Sequence, residues 1–269
     1  VYQTKNISMP VVPEPAEIFH RAVQEGQRRL NQSTLELVST SFIAGFTIIF
    51  GIAALGAVEA LVEPQFGDVA TIAGALTFGI GVVFLVVGRA ELFNENFFDP
   101  VATAFDTDDS WLVGPLIRLW VLTFVFNFVG GGLFALVFAV DGALPAGSGH
   151  ALRSVATGIA TRTPLTVFAS AIVGGALVSL LSYLLEAVDS VGSQIIMSYL
   201  VGFLLALGPF DHVIVTGLHV FLGMLFGAEI KSGALAMVVG SSTVGNFVGG
   251  IGLVTLSHVA QVRGAEGAE

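Results

Sequence analysis

Long apolar runs separated by short polar segments dominate this chain. Each run has roughly twenty residues with little or no charge, the length that crosses a ~30 Å hydrocarbon core as an α-helix. The pattern predicts an all-α membrane protein with six transmembrane helices. The predicted spans cover residues 36–59, 69–88, 119–140, 163–185, 192–226 and 232–261.

The second and fifth predicted helices are interrupted. Residues 88–96 follow the second run and carry several polar side chains before a further apolar run at 97–105. The fifth run is interrupted at residues 208–212 by the sequence Gly-Pro-Phe-Asp-His. Irregular backbone at membrane depth is tolerated only where protein buries it or water reaches it. Both breaks are therefore predicted to lie inside the protein, beside a water-accessible path.

An internal repeat relates the two breaks. The sequence Asn-Phe-Val-Gly-Gly occurs at 127–131 in the third span and again at 246–250 in the sixth. Upstream of each copy, at nearly the same distance, a glycine is followed three residues later by an acid: Gly88 with Glu91, and Gly208 with Asp211. The chain is thus predicted to contain two halves of three spans each. Three is odd, so the halves insert with opposite topology, as in many channels and transporters.

The repeat also gives a role to the two asparagines. Breaks leave backbone groups unpaired, and Asn127 and Asn246 are expected to hydrogen bond to them. The alternative is a helix–helix hydrogen bond with no part in transport. In either case these side chains are predicted to support the breaks.

The repeat and the polar ends divide the chain into three segments. These are an N-terminal segment 1–34, a transmembrane domain 35–262 with repeats at about 35–141 and 157–262, and a tail 263–269. Residues 14–34 are predicted to form an amphipathic helix on the membrane surface, with Arg21, Arg28 and Arg29 toward lipid headgroups. An ordinary soluble cap helix is the alternative.

Arginines near both ends predict the topology. Arg21, Arg28, Arg29 and Arg263 flank the termini, whereas the first loop carries acids and no base. Basic residues favour the cytoplasmic side. Both termini are therefore predicted to be cytoplasmic, in a multi-pass protein of the cell membrane.

Composition narrows the function classes. Only 11% of residues are charged, the net charge is −10, and there is no cysteine. The acidity argues against nucleic-acid binding, which needs a basic surface, and is also typical of proteins from salt-loving sources. His and acidic residues show no metal-ligand spacing. The sequence therefore predicts neither a metal nor a cofactor, and not an enzyme.

His212 is the leading candidate for chemistry, because an ionisable residue within a span is costly and usually functional. Asp211 precedes it, and Thr216 follows on the same helical face. A structural, hydrogen-bonded histidine remains the alternative. His219 lies one turn further along that face and is interpreted as structural or peripheral. At the first break, Arg89 is expected to pair with a nearby carboxylate rather than attract an anion.

These motifs resemble the formate/nitrite transporter family over nearly the whole chain. The resemblance rests on residues 90–94 (Ala-Glu-Leu-Phe-Asn), 210–212 (Phe-Asp-His) and the two Asn-x-x-Gly-Gly runs. It implies an aquaporin-like protomer, assembled as a homopentamer with one pore per protomer. It also implies passage of small monovalent anions, such as formate or nitrite, together with protons.

Specific positions follow from the resemblance. His212 matches the family's central histidine. Leu92, Phe93 and Val178 would form one apolar constriction, and Phe78, Val82 and Leu205 the other. Several positions depart from the family pattern: Arg89 and Pro209 replace glycines, Asn94 replaces Thr, Thr216 replaces Asn, and Gly175 lies near a usual Asn.

The resulting hypothesis is a weak-acid pathway. Arg153 and Arg162 would draw the anion into a vestibule, and His212 or its water would share a proton with it. The neutral acid would then cross the apolar constrictions, where a bare anion loses its hydration. Three alternatives remain: a neutral-solute pore of aquaporin type, although no Asn-Pro-Ala pair is present, a membrane scaffold that does not transport, and a membrane enzyme or sensor using Asp211 and His212.

Overall fold

The computed structural model describes residues 12–106 and 112–266, so the predicted segments 1–34 and 263–269 lie partly outside the described residues. Every regular element in the described ranges is helical. The α-helices are α1 (Pro15–Leu30), α2 (Thr34–Phe66), α3 (Val69–Val87), α4 (Asp99–Asp106), α5 (Val113–Phe138), α6 (Ser148–Ala160), α7 (Pro164–Glu186), α8 (Val191–Leu207), α9 (Val213–Leu225), α10 (Ser232–Phe247) and α11 (Leu256–Glu266). A 3-10 turn (Phe93–Phe97) precedes α4, and a π-helical segment (Val248–Thr255) joins α10 to α11.

Five helices of the described chain are long and apolar enough to cross a membrane: α2, α3, α5, α7 and the continuous helix Ser232–Ala265. The remaining predicted crossing is made of α8 and α9, which are individually short and are separated by residues 208–212. α2 continues past Glu59 to Phe66. The acidic residues end its apolar run but do not end the helix.

Close backbone contacts recur in the two halves. In the first, Gly45 of α2 lies against the carbonyl of Asn127 in α5. In the second, Gly175 of α7 lies against the carbonyl of Asn246 in α10. A Cβ atom at either glycine would collide with main chain, so only glycine permits these approaches. The correspondence is consistent with two inverted three-helix repeats.

α1 is docked on the protein. On its buried face, Phe19, Ala22 and Val23 pack in one apolar cluster with residues of α4 and α11. Its arginines bind carboxylates of the protein, which differs from the prediction that they turn toward lipid headgroups. The physical reason is that carboxylates buried near the first break would otherwise lack counter-charges.

Sequence analysis did not predict α6, which lies between the two repeats. Its thirteen residues are too few to span a membrane, and their mixed composition gives no long apolar run. α6 packs against α9, where Gly223 lies against Ala156. Its C-terminal end leads directly to Arg162, beside the second break.

Candidate functional site

The first break begins where α3 ends. The amide of Gly88 donates to the carbonyl of Phe84 at 2.9 Å, and the amide of Ala90 donates to that of Leu85 at 3.0 Å. Between them, Arg89 has φ = 52°, a left-handed conformation that is unusual for a residue other than glycine. Its side chain is exposed and makes no salt bridge with a described residue. The ion pair expected of Arg89 is therefore absent, because Arg28 of α1 occupies the nearby Glu91.

Side chains satisfy the main chain of the first break. Asn127 Oδ1 accepts from the amide of Phe93 at 2.9 Å. Asn127 Nδ2 donates to the carbonyls of Glu91 at 2.9 Å and Ser41 at 2.8 Å. Further carbonyls of the break accept from the side chains of Asn96, Trp120, Ser182 and Thr255. Buried backbone groups need such partners, and a loop at this depth is retained because it has them.

The second break uses the same device. Asn246 Oδ1 accepts from the amide of Val213 at 2.8 Å, and its Nδ2 donates to the carbonyls of Asp211 and Ala171, both at 2.7 Å. Asn246 Oδ1 also accepts from Asn94 Nδ2 at 2.8 Å. Asn94 therefore joins the first break directly to the second.

The predicted constriction residues come together in one buried apolar cluster. Leu92, Phe93 and Val178, and also Phe78, Val82 and Leu205, are each at most 7% exposed. Phe78 and Leu205 line a cavity next to the second break, whereas the other four line neither this cavity nor the one at the first break. Apolar side chains thus fill the space between the first break and the second break.

The cavity at the second break, named here the histidine cavity, has a volume of about 300 Å³ and a mostly apolar lining. His212 caps α9 and is 1% exposed. Its Nδ1 receives only a long contact of 3.5 Å from the amide of Val215, and its Nε2 has no hydrogen-bond partner among the described residues. His219 lines the same cavity.

Charged groups lie at the edge of the histidine cavity. Arg162 Nη2 is 2.7 Å from Asp211 Oδ1, and Thr216 Oγ1 donates to the same oxygen at 3.2 Å. Thr216 therefore bonds to Asp211 rather than to His212. The other predicted vestibule base, Arg153, lies outside this cavity on the exposed side of α6, beside His150.

The mouth at the first break, named here the arginine cavity, has a volume of about 520 Å³ and a polar lining. Glu91 Oε1 accepts from Arg28 and from Gln32, both at 3.1 Å. Arg29 lies 3.5 Å from Glu91 and 3.5 Å from Asp99. Burial acts to raise the pKa of the Glu25 carboxyl, but Arg28 and Arg29 outweigh it and lower this pKa from 4.5 to about 2.

With this geometry established, comparison with known proteins identifies the family. The family model described as "Formate/nitrite transporter" matches residues 16–260. This chain belongs to the formate/nitrite transporter family. It is therefore a multi-pass protein of a membrane transporter and channel family, as the sequence motifs predicted.

Two proteins from other organisms are similar to this chain in sequence. "Inner membrane protein YfdC" of Escherichia coli (strain K12) is 24% identical over 253 residues, which cover 94% of this chain and 80% of that protein. "Uncharacterized transporter YwcJ" of Bacillus subtilis (strain 168) is 29% identical over 118 residues, which cover 44% of this chain and 45% of that protein.

Solved structures share the fold of this member of the formate/nitrite transporter family. An "FNT family ion channel" superposes with a TM-score of 0.79 at 17% identity, covering 91% of this chain and 98% of that one. A "Pentameric formate channel with formate bound" gives a TM-score of 0.67 at 17% identity, covering 88% and 98%. These matches confirm the predicted all-α channel fold.

Sequence reasoning missed several contacts at the two breaks. It placed Arg28 and Arg29 toward lipid headgroups and did not single out Gln32, because the distance of all three from Glu91 in sequence hides their contacts with it. His219 was interpreted as structural or peripheral, although it shares a helical face with His212 and Thr216. That shared face was the signal that could have indicated a second histidine in the cavity.

Proposed function

We propose that this chain is a channel or transporter for small monovalent anions, of the formate and nitrite type, and that His212 exchanges a proton with the transported species. The protein would act in the cell membrane as a homopentamer, with both termini cytoplasmic. The similarity to a pentameric formate channel and to an inner membrane protein supports this assembly and location.

The observation that carries the proposal is the position of His212. Its ring is buried at the end of the second break, with Nε2 unpaired by the described protein and facing the histidine cavity. A histidine that accepts from an amide through Nδ1 carries its proton on Nε2 when neutral. Such a ring can donate a hydrogen bond to an anion, or take and return a proton through the cavity.

The apolar cluster explains why a proton is needed. An anion passing Phe78, Phe93 and Leu205 would lose its hydration among apolar side chains and pay a large desolvation penalty. Protonation removes the charge and most of that penalty. The N-terminal end of α9, which begins at Val213, adds a partial positive charge beside His212. The anion can therefore bind beside His212, take up a proton there and cross the apolar cluster as a neutral acid.

The test is flux into liposomes that contain the purified protein. Formate and nitrite uptake would be measured at several pH values, with an internal dye reporting proton movement. We expect His212→Asn to reduce flux and remove its pH dependence. The control is His258→Gln, because His258 lies in α11 and its ring packs on Tyr183 outside the histidine cavity. This variant should retain both the flux and its pH dependence. Unchanged flux and pH dependence in His212→Asn would refute the role of His212.

Three further measurements test the rest of the proposal. Glycerol-driven swelling of the same liposomes, without anion flux, would instead indicate a neutral-solute pore. Native mass spectrometry should give five protomers. Because the chain has no cysteine, a single Gly264→Cys variant should be labelled by an impermeant thiol reagent only after the cytoplasmic face is opened.

A further inference from the structure

The histidine cavity contains more unpaired polar atoms than one proton-exchanging residue requires. Nε2 of His212, Nε2 of His219, Oδ2 of Asp211 and Nη1 of Arg162 are all buried without a hydrogen-bond partner among the described residues. All four residues line this one cavity. Buried polar atoms are normally paired, so their convergence indicates that the cavity is built to hold polar molecules.

His219 is oriented by its surroundings. The ring stacks on Phe78 with centroids 6.5 Å apart, and its Nε2 is buried without a hydrogen-bond partner among the described residues. A neutral imidazole with its proton on Nδ1 has a lone pair on Nε2 that can accept a proton from the cavity. In His212, by contrast, Nδ1 accepts from the amide of Val215, which places the proton of the neutral ring on Nε2.

Glu59 connects this cavity to a second, acidic cavity. It lines the histidine cavity and also a neighbouring cavity of about 270 Å³, whose wall includes Glu63 and Asp68. Glu59 is only partly exposed and makes no salt bridge with a described residue. A carboxylate at this position can exchange protons with solvent on one side and with the histidine cavity on the other.

We propose that His219, supplied with protons through Glu59, is a second proton-exchanging residue that reloads the site at His212. This inference rests on the proposed transport function. The two rings are seven residues apart on α9, or about 10 Å along the helix axis. The cavity of about 300 Å³ has room for the intervening water and for a small acid.

The proton transfers balance in sequence. Protonated Glu59 releases its proton to water in the cavity, and that water passes a proton to Nε2 of His219, forming imidazolium. His219 then passes this proton through water to the anion, which accepts a hydrogen bond from Nε2–H of His212 while His212 keeps its own proton. Both histidines end neutral, Glu59 is again a carboxylate, and the transported species leaves as the neutral acid.

The other charged groups facing His219 are compatible with this role. The positive charge of Arg162 disfavours protonation of His219. The carboxylate of Asp211, which forms a salt bridge with Arg162, offsets that positive charge. Glu59 on α2 adds a carboxylate to the lining of the cavity. Of the other helices packed on α9, α5 and α10 contribute no charged residue to the cavity lining, and α6 contributes none besides Arg162 just beyond its end.

The test compares anion flux over external pH 5 to 8 in liposomes, with protein inserted in one orientation. We expect His219→Gln to lower flux at high pH by about 100-fold or more, as for a lost acid–base group, but to change it little at low pH, where protons reach His212 directly. Glu59→Gln should give the same altered profile, and the double variant no further loss. The control His150→Gln removes an exposed histidine outside the cavity and should match the wild type.

The flux measurements separate the role of His219 and Glu59 from that of His212. A wild-type pH profile in both single variants would overturn the role of His219 and Glu59 while leaving His212 as the proton-exchanging residue. Absence of anion flux from the wild type would overturn the transport function and this inference together. If His219→Gln does not fold, two other measurements test the proposal. These are the pH profile of Glu59→Gln and the ¹⁵N chemical shift of the His219 ring in labelled wild-type protein. A ring that stays neutral over the whole pH range of flux overturns the proposal.

Discussion

At the first break Asn127 binds the carbonyl of Glu91 and the amide of Phe93; at the second, Asn246 binds the carbonyl of Asp211 and the amide of Val213. The main-chain support is therefore equivalent. The surroundings differ, because α1 covers the first break with arginines whereas the second opens into a cavity containing two histidines. The two halves therefore share the asparagine that supports the break, but they differ in the charged and titratable side chains around it.

A finer comparison concerns Asp99 and His219. The spacing in sequence that relates Glu91 to Asp211 also relates Asp99 to His219. Asp99 is buried and faces Arg29, whereas His219 faces the histidine cavity. One half therefore neutralises this position with a salt bridge inside the protein, and the other leaves it open to small molecules.

The largest expected effect tests the shared scaffold. Gly249→Ala would place a methyl group against the carbonyl of Ile172, and Gly130→Ala would do the same against that of Phe42. We expect both to cost more than about 3 kcal/mol or to prevent folding, because main chain cannot move aside as a side chain can.

The matched control for that prediction is Gly252→Ala, where an added methyl group meets nothing within 4 Å. It should be neutral or stabilising by at most about 1 kcal/mol, since alanine favours helix. Thermal unfolding in detergent measures all three. Tolerance of Gly130→Ala but not Gly249→Ala would show that the halves are not equivalent scaffolds.

The next effect compares the two asparagines. Asn246→Ala removes partners from Val213, Ala171, Asp211 and Asn94, whereas Asn127→Ala leaves the Asn94 contact intact. Each stranded buried group costs about 1–3 kcal/mol, so Asn246→Ala should be the more destabilising variant. Equal melting temperatures would contradict the idea that Asn94 joins the two breaks.

Removing one arginine from each mouth sharpens the contrast between them. Arg29→Gln leaves the buried Asp99 without its counter-charge and Glu91 with Arg28 alone, and should cost about 3–5 kcal/mol. Arg162→Gln should cost less, about 1–3 kcal/mol, because Asp211 keeps Thr216 and can be hydrated from the cavity. The exposed Arg153→Gln is the control for lost surface charge. A larger loss from Arg162→Gln than from Arg29→Gln would reverse the comparison.

The smallest effect is a pH dependence confined to the first mouth. The pKa of Glu25 is lowered to about 2 in the folded protein. Its stabilising contribution is therefore complete above the unfolded value of 4.5 and is lost as pH falls from there toward 2. The wild type should lose more thermal stability between pH 6 and pH 3 than Glu25→Gln does. An equal loss in both would exclude Glu25 as a source of acid sensitivity.

The two breaks also show how far sequence reasoning reached. The breaks and the asparagines opposite them follow from local patterns, because hydropathy and a repeated motif are properties of the sequence. The apolar residues between the breaks were indicated only by the resemblance to the family. The expected ion pair of Arg89 is not found among the described residues, where Arg28 of α1, 63 positions from Glu91 in sequence, binds that carboxylate instead. α6 was missed because a short helix of mixed composition leaves no periodic signal long enough to detect.

The sequence by itself determined the membrane class, the interrupted helices, the internal repeat and the family, because each depends on residues that are close together or on a motif that occurs twice. Only the tertiary structure decided which charges meet. It placed Arg28 and Arg29 on Glu91, Arg162 on Asp211, and His219 in the cavity with His212. Electrostatic partners are chosen by distance in space, and neither hydropathy nor spacing along the chain encodes that distance.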